Sequence, residues 1–487
     1  LPIADCRLSI WVGTTQPRNR QSGNRQSAIG NRQSAIGNRQ SAIVKILSIT
    51  AGAAGMYCGS CLRDNALAAE LLKQGHDVLL VPIYTPTLTD EENVSQHRVF
   101  FGGISVYLEQ HVPLFRHTPK LLDRLWDSEG ALNAVARRSI AVDPRSLAEM
   151  TLSMLKGEDG YQRKELDKLI DWLKSEARPD VVNLPNSLLI ALAGPIKREL
   201  NLPVFCTLQG EDLFINGLGE PYRSEALELI RSNVKFVDGF LAVSDFYAAA
   251  MCSELRIPQS RVHVVPLGIS FDGFEKTERL ALSEFVVGYF ARVAPEKGLH
   301  VLADAYRLLR QRTSERRIRL EIAGYLAPEH REYLSGIEGQ MNGWGLGGEF
   351  QYRGVLDRDA KIAFLKGLDV MSVPATYDEP KGMSLLEAMA AGVPVVQPRR
   401  GSFPEIIDRT GGGLLVDGSD AESLALGLQS LIESPSLTAE LGQRAFDGVR
   451  EHYGVSNMAR RAIEAFSSVN GSDRNAGTTA EVELARG

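Results

Sequence analysis

The sequence predicts an α/β protein with two doubly wound parallel sheets that face a common cleft. One observation is a strand–helix–strand unit, in which the apolar run Lys45–Thr50 precedes a glycine-rich turn, a helix over 62–74 and a second strand over 77–83. Another is that similar short strands recur along the chain, since parallel strands joined by crossover helices form doubly wound sheets. The length of 487 residues also allows two domains of ordinary size, each with its own core.

The N-terminal domain is predicted to span residues 44–267 and to contain a charge-rich helical insertion over 117–178. A C-terminal domain follows over 268–455, and a closing helix over 456–468. The polar residues 469–487 are expected to form a disordered tail. The remaining strands are predicted, in order, at 181–184, 204–207, 239–243, 262–265, 285–290, 318–323, 349–353, 369–373 and 393–397.

Residues 1–43 contain a tandem repeat. The segment Asn24–Gly30 recurs at 31–37 and begins again at Asn38, with one small apolar pair in each unit. Such a repeat is expected to be disordered, and we expect the natural start of the protein near Val44. A coiled coil is the competing interpretation of a seven-residue period, but the glycine in each unit and the scarcity of apolar residues argue against it.

Composition indicates an ordinary globular protein. The chain is 44% hydrophobic and 23% charged, and its formal net charge of −6 argues against nucleic acid as a partner. The sequence has no apolar run long enough to span a bilayer and no cationic start followed by an apolar core. We therefore expect a cytoplasmic protein, and these facts are compatible with peripheral contact at the inner face of a membrane.

The most informative motif places two carboxylates eight residues apart, Glu379 and Glu387. Pro380 and Gly382 prevent one helix from containing both, so Glu379 is predicted in a loop and Glu387 about one turn inside a helix that begins near Met383. Gly382, Met383 and Ser384 would then form a helix N-terminus, whose N–H groups suit a phosphate. Carboxylates on either side of it could accept hydrogen bonds from hydroxyls, an arrangement that suits a nucleotide sugar.

Two cations are predicted close to this motif. Arg292 and Lys297 lie just beyond the predicted strand at 285–290, where open α/β sheets bind ligands. Two fixed cations there could neutralise a diphosphate leaving group. Taken alone, each of these residues also has an ordinary interpretation as a solvated loop cation, a helix cap or a surface ion pair.

Together these residues resemble the C-terminal domain of retaining family 4 glycosyltransferases (glycosyl transferases group 1), which have the GT-B fold of two Rossmann-like domains. Gly401 and Glu405, in the next loop, extend the resemblance. It implies that Arg292 and Lys297 contact the donor diphosphate, that Glu387 binds the ribose hydroxyls and that Glu379 lies near the transferred sugar.

The resemblance further implies a hexosyltransferase-like enzyme of the kind that serves polysaccharide biosynthesis. Its donor would be a nucleotide sugar and its acceptor a carbohydrate, a lipid or a small molecule, with no separate cofactor. The insertion over 117–178 would shape the acceptor side.

The N-terminal domain departs from the family pattern. Its loop carries Gly55, which allows a ligand to approach the backbone closely, and matches the family's glycine-rich loop only loosely. Many members place a histidine near the reacting sugar, whereas this chain has Gln209 in the corresponding segment. Its amide could contact a sugar hydroxyl, and Glu211 and Asp212 could orient the acceptor, although a polar helix start explains them equally well. Lys381 stands where an aromatic or apolar residue is common.

Two other classes of site are compatible with particular residues of the sequence. Cys58 and Cys61 form a C-x-x-C pair at a helix N-terminus, a setting used by dithiol oxidoreductases, with buried structural thiols as the alternative. The only Asp-x-Asp, at Asp357 and Asp359, begins a helix-like run, where an N-cap is the simpler explanation, so no catalytic metal is expected. A phosphorylase, a catalytically silent nucleotide-sugar-binding module and a C-x-x-C redox or metal protein remain the alternatives to a transferase.

Overall fold

The computed structural model describes residues 43–52, 57–96, 99–101, 110, 144–275, 284–418 and 420–484. The predictions for the repeat up to residue 42, for Gly55, for residues 117–143 of the insertion and for residues 485–487 of the tail lie outside the described residues.

Two parallel six-stranded sheets form the framework of the described chain. The first has the strand order β2-β1-β3-β4-β5-β6 and the second the order β12-β11-β10-β7-β8-β9. The strands are β1 Lys45–Thr50, β2 Asp77–Pro82, β3 Val181–Leu184, β4 Val204–Leu208, β5 Gly239–Ala242, β6 Val262–Val264, β7 Phe285–Phe290, β8 Ile318–Ala323, β9 Phe350–Tyr352, β10 Val370–Met371, β11 Val395–Pro398 and β12 Gly413–Val416. The doubly wound fold class predicted from the sequence is confirmed.

The strand order creates a switch point in each sheet. In the first, the chain runs outward from β1 to β2 and then returns to β3 on the other side of β1. In the second, it runs from β7 through β8 and β9 and then returns to β10, which pairs with β7 in register Val370 to Val287. Ligands of open α/β sheets bind outside the carboxyl ends of the strands at such a point, here next to β1 and β3 and next to β7 and β10.

Each strand predicted from the sequence is present; four have both ends as predicted, and the others have one or both ends shifted by a residue or two. β12, Gly413–Val416, was not predicted, because the three consecutive glycines Gly411–Gly413 favour a turn at its start and its residues are only half-buried. Most strands are continuous apolar runs because helices cover both faces of each sheet. For example, all residues of β3 and β4 are buried.

The α-helices are α1 Gly59–Lys73, α2 Pro144–Leu155, α3 Arg163–Trp172, α4 Ala193–Leu200, α5 Asp212–Gly217, α6 Tyr222–Asn233, α7 Asp245–Leu255, α8 Leu299–Arg312, α9 Arg331–Gly343, α10 Arg358–Lys366, α11 Met383–Ala390, α12 Phe403–Thr410, α13 Ala421–Glu433, α14 Pro435–His452 and α15 Val455–Leu484. Helix α1 begins three residues earlier than predicted, because Cys58 is the extended residue that precedes it. The described part of the insertion contains α2 and α3.

Helix α15 returns the chain to the first sheet. Its buried residues Met458, Ala462 and Phe466 join a core cluster with residues of β1, α1 and β4. Phe466 meets Phe205 of β4 edge to face, with ring centroids 5.0 Å apart. The predicted closing helix over 456–468 lies within α15, which continues to Leu484, through residues predicted to be a disordered tail. A helix satisfies its own backbone hydrogen bonds, so polar composition does not prevent one.

Candidate active site

Three of the predicted site residues meet at the switch point of the second sheet. Arg292 and Lys297 lie in the loop after β7, and Glu379 lies in the loop after β10. Because β7 and β10 are neighbours, their carboxyl ends bring the two loops together. The ammonium of Lys297 lies 2.5 Å from Oε2 of Glu379. Neighbours in the sheet thus unite residues that are 82 positions apart in the chain.

Tyr377 completes this cluster, and sequence reasoning missed it. Lys297 Nζ donates to the Tyr377 hydroxyl at 2.7 Å, and that hydroxyl donates to Glu379 Oε2. Lys297 also lies 5.0 Å from the centre of the Tyr377 ring, within the range of a cation–π contact. The signal in the sequence was only an aromatic residue two positions before Glu379.

The Glu379 carboxyl is held as an anion. It is 7% exposed, and burial by itself opposes ionisation. The charge of Lys297 and the hydrogen bonds from Lys297 and Tyr377 outweigh burial and lower the pKa of Glu379 to about 2. At neutral pH this group is a fixed negative charge and has no proton to donate.

Helix α11 begins beside this carboxylate, as predicted. Gly382 precedes it with φ of +65°, and a Cβ there would lie 2.5 Å from Cδ1 of Ile406. The N–H groups of Lys381 and Gly382 face Glu379 Oε1 at 3.3 and 3.5 Å. Met383 and Ser384 occupy the first helical positions, where N–H groups have no partner within the helix.

The next loop supports the turn that carries Glu379. Gly401, with φ of +56°, lies so close that a Cβ would be 2.5 Å from the Glu379 backbone nitrogen. The Ser402 N–H donates to the Glu379 carbonyl at 2.8 Å. Further along, Glu405 accepts hydrogen bonds from the N–H groups of Asp245 and Phe246 at 3.3 and 3.0 Å, at the N-terminus of α7 in the first domain.

Arg292 is the more accessible of the two cations. Its guanidinium pairs with Glu296 in the same loop, and 39% of the side chain is exposed. Lys297 uses two of its three donors in contacts among the described residues, with Tyr377 and Glu379. Both cations therefore keep donors for an anionic ligand, and both are held in position by carboxylates before it arrives.

Glu387 lies one turn inside α11, as predicted, and takes part in a buried ion-pair network. Its Oε1 lies 2.6 Å from the ammonium of Lys361 on α10, and that ammonium also pairs with Asp90 of the first domain. Burial disfavours the charged lysine, but Glu387 and Asp90 together raise the pKa of Lys361 above its usual range. These three side chains and Arg358, which pairs with Glu91 at 2.8 Å, line a narrow cleft with a cavity volume of about 30 Å³. A lysine and an aspartate at such spacing carry no sequence signal, which explains why they were missed.

The acceptor-side candidates lie at the end of β4. Gln209 is 3% exposed, and its amide donates to the Pro185 carbonyl at 2.7 Å and to Asp64 at 3.5 Å. Glu211 is buried and accepts hydrogen bonds from the N–H groups of Ser187 and Gln209 at 3.1 and 2.8 Å. These two side chains hold neighbouring loops in place.

Asp212 is the more open of the acceptor-side residues. It accepts a hydrogen bond from the Tyr247 hydroxyl at 2.8 Å and lines a pocket of about 190 Å³ with Arg223, Glu254 and Asp378. Asp378 belongs to the loop that carries Glu379, so residues of both domains line this pocket.

Direct contacts join the two domains around the site. Lys381 Nζ donates to the Ser60 hydroxyl at 2.9 Å, and Ser244 donates to the Pro380 carbonyl at 2.8 Å. Lys381 points across the cleft to the start of α1. This contact gives the cation a partner at the position where the sequence resemblance leads one to expect an aromatic or apolar residue.

The described residues show how the Asp-x-Asp motif is used and whether metal-ligating side chains cluster. Asp357 caps α10 by accepting a hydrogen bond from the Ala360 N–H at 2.9 Å, which confirms its predicted role as an N-cap. Across the described ranges, no three His, Cys, Asp or Glu side chains cluster as a metal site would require. In the same part of the chain, no helix has the length and apolar character needed to cross a membrane.

Two family models match consecutive parts of the chain. The model described as "Glycosyl transferases group 1" matches residues 272–447, and that described as "Glycosyltransferase Family 4" matches residues 154–272. Over 244 residues the chain is 28% identical to an MMP alpha-(1->4)-mannosyltransferase of Mycolicibacterium hassiacum. The aligned region covers 50% of this chain and 53% of that protein. It is 27% identical over 222 residues to a D-inositol 3-phosphate glycosyltransferase of Corynebacterium urealyticum, covering 43% of this chain and 52% of that protein. The chain spans about half the length of the curated relatives it matches.

Solved structures share the arrangement of two sheets. Anabaena HepE in complex with UDP has a TM-score of 0.60 at 18% identity, covering 87% of this chain and 100% of that one. Sucrose-phosphate synthase of Thermosynechococcus elongatus has a TM-score of 0.63 at 17% identity, and the superposition covers 88% of this chain and 99% of that one. The likeness confirms the predicted GT-B architecture.

Proposed function

We propose that this chain, which belongs to the glycosyltransferases of the group 1 and family 4 type, moves a sugar from a nucleotide-diphosphate sugar to a carbohydrate, lipid or small-molecule acceptor. The observation that carries the proposal is the meeting of Arg292, Lys297 and the N-terminus of α11 at the switch point of the second sheet. We call these three elements the diphosphate site.

The diphosphate site would hold the phosphates of the donor. Both cations retain donors that can reach an anionic oxygen, and Gly382 to Ser384 offer backbone N–H groups of a helix start. Glu387 would bind the ribose hydroxyls. Its carboxylate would either contact Lys361 and the ribose together or release Lys361 when the ribose binds. HepE has been solved in complex with UDP, so uridine diphosphate is the first nucleotide to test.

Glu379 would act through its charge. A carboxylate whose pKa is about 2 is a weak base, and its negative charge would favour the positive charge that develops on the sugar as the donor bond breaks. The departing phosphate oxygen would then accept the acceptor proton on the same face of the sugar, so that the anomeric configuration is retained. The two cations would stabilise the departing diphosphate, a task that divalent metals perform in other transferases.

The acceptor would bind between the domains, on the side of Gln209, Glu211 and Asp212. Gln209 and Glu211 are engaged in internal hydrogen bonds, so we assign them to positioning, and Asp212 is the residue placed to meet a hydroxyl. The pocket beside Asp212 combines charged groups of both signs with apolar side chains such as Ile215, Phe246 and Met251, which suits an acceptor that presents both hydroxyls and an apolar face.

The test begins with a thermal-shift panel of UDP-, GDP- and ADP-sugars. A ligand at a hundred times its dissociation constant stabilises the protein by about 2.7 kcal/mol, so the cognate donor should stand out. Release of nucleoside diphosphate from that donor, with and without acceptors, separates a transferase from a silent binding module. Binding without any turnover would favour the silent module, and dependence on inorganic phosphate would favour a phosphorylase.

Kinetics of variants then test the assignment of residues. Arg292→Ala and Lys297→Ala should each lower turnover as well as donor affinity, because charge on the diphosphate grows in the transition state. Glu387→Ala should mainly raise the donor KM, since ribose hydroxyls do not change during the reaction. Arg460→Ala is the matched control, because Arg460 forms a similar ion pair with Glu464 on the exposed face of α15.

Two further measurements test the stereochemistry and the role of metals. An NMR spectrum of the first product should show the anomeric configuration of the donor, and an inverted product would refute retention. Activity after dialysis against a chelator should equal the untreated activity, and restoration by magnesium or manganese of a lost activity would refute metal independence.

A further inference from the structure

We propose that Cys58 and Cys61 form a redox-active dithiol, with Cys58 as the attacking thiol, Cys61 as the resolving thiol and a disulfide of the glutathione type as the co-substrate. This thiol chemistry is separate from sugar transfer and does not depend on it.

The two thiols lie on one end of α1. Cys58 is the extended residue before the helix, with φ of −114° and ψ of 124°, and its carbonyl accepts the first helical hydrogen bond from Leu62 at 2.9 Å. Cys61 follows in the first turn and is buried. The two side chains interact directly, because each of them shifts the pKa of the other.

The surroundings of Cys58 favour its thiolate. Lys381 reaches this point from the second domain, with its Nζ 2.9 Å from the Ser60 hydroxyl. The hydrogen bond from Cys61, the charge of Lys381 and the N–H groups of Ser60 and Cys61 hold the pKa of Cys58 well below its usual range, although burial opposes this. The start of a 15-residue helix also favours negative charge at this position.

The surroundings of Cys61 favour the protonated thiol. Its hydrogen bond to Cys58, its burial and the negative charges of Cys58 and Asp64 all raise the pKa of Cys61. Asp64 is itself buried and pairs with Arg63 at 3.0 Å. A thiolate beside a protonated thiol is the asymmetry that disulfide exchange requires, since the half-buried Cys58 attacks first and the buried Cys61 closes the bond.

The other described cysteines lack these features. Burial raises the pKa of both Cys206 and Cys252, and no cation lies beside either of them among the contacts of the described chain. Cys252 is half-buried, as Cys58 is, and therefore provides an internal comparison.

The proposed exchange proceeds in two steps. The Cys58 thiolate attacks one sulfur of glutathione disulfide, the S–S bond breaks, and one glutathione leaves as a thiolate. Cys61 then transfers its proton to that thiolate and attacks the sulfur of Cys58, which releases the second glutathione as a thiolate. The pair is oxidised by two electrons to a Cys58–Cys61 disulfide, and glutathione disulfide is reduced to two glutathiones.

The first test is alkylation of the reduced, folded protein by iodoacetamide, followed for each cysteine by peptide mass spectrometry at several pH values. Cys58 should react with a midpoint below neutral pH, and Cys252 with a midpoint at or above the usual value of about 8.5. Lys381→Met should move the Cys58 midpoint upward, and Lys174→Met, which removes an exposed lysine paired with Glu199, should not. Equal profiles for Cys58 and Cys252 would overturn the proposal.

The second test is incubation of the full chain with glutathione disulfide. The wild-type protein should lose two hydrogens in a Cys58–Cys61 disulfide, and Cys61→Ser should stop at a stable glutathione adduct on Cys58. Absence of the disulfide in the wild type, or stoichiometric zinc in the purified reduced protein together with slow alkylation, would contradict a redox dithiol. The wild-type experiments decide the matter even if the serine variant fails to fold.

Discussion

Replacing Lys297 with methionine should destabilise the protein by leaving Glu379 buried without its cation. Lys297 and Glu379 side chains are 19% and 10% exposed, and they lie 2.5 Å apart. Removing one member of a buried ion pair costs about 3–5 kcal/mol, because the remaining charge lacks compensation. The pKa of Glu379 gives a second measure of the same interaction.

The pKa of that carboxyl falls from 4.5 to about 2, and at about 1.4 kcal/mol for each pKa unit this depression corresponds to about 3 kcal/mol of stabilisation. The folded pKa lies below the unfolded one, so this stabilisation is fully present above pH 4.5 and is lost as the pH falls toward 2. Glu379→Gln should therefore show a weaker loss of stability than the wild type over that interval.

A double-mutant cycle isolates the pair. We would measure the free energy of unfolding in urea at neutral pH, with circular dichroism and fluorescence, for Lys297→Met, Glu379→Gln and the double variant. Lys297→Met should cost several times more in the wild type than in the Glu379→Gln background, with a coupling of about 3 kcal/mol. Lys174→Met, at an exposed pair, should leave the unfolding transition unchanged. An equal loss of unfolding free energy on Lys297→Met in both backgrounds would show that the interaction between Lys297 and Glu379 does not stabilise the protein.

Three further substitutions test the ion pairs of Lys361, the turn before α11 and the packing of α15 on the first sheet. Lys361→Met should leave Glu387 and Asp90 as facing buried carboxylates and destabilise the protein by about 3–5 kcal/mol, an effect that Asp90→Asn should partly reverse in urea unfolding. Gly382→Ala would place a Cβ 2.5 Å from Ile406 at a positive φ, and we expect a donor dissociation constant at least tenfold higher by titration calorimetry, whereas Gly336→Ala in α9, with open space around it, should have no effect. Phe466→Ala should lower stability by about 3–5 kcal/mol through the cavity it leaves against Phe205, and a change within error would show that α15 does not dock on the first sheet.

The strands were predictable from the sequence because a buried parallel strand is a short, continuous apolar run. Lys45–Thr50 and Phe285–Phe290 were predicted to the residue, and β12 was missed because the glycines at 411–413 favour a turn at its start. The turn before α11 was also predictable, because Pro380 and Gly382 restrict the backbone conformation at their own positions.

The partners within the site were less predictable. Lys297 and Glu379 were both named from the sequence, but their direct pairing depends on β7 and β10 being neighbours in the sheet. Lys361 and Asp90 come from different domains, and only the closure of those domains brings them together. Local patterns carry no information about such contacts, so the buried network around Glu387 could not be predicted.

The most direct test of the central claim is titration calorimetry of the cognate nucleoside diphosphate, with UDP tested first, against the wild type, Arg292→Ala and Arg460→Ala. A charge-assisted hydrogen bond is worth about 1.5–3 kcal/mol, so Arg292→Ala should weaken binding by roughly ten- to a hundredfold. Arg460→Ala should bind as the wild type does, because its ion pair lies on the exposed face of α15. Wild-type affinity in a folded Arg292→Ala variant would contradict the diphosphate site.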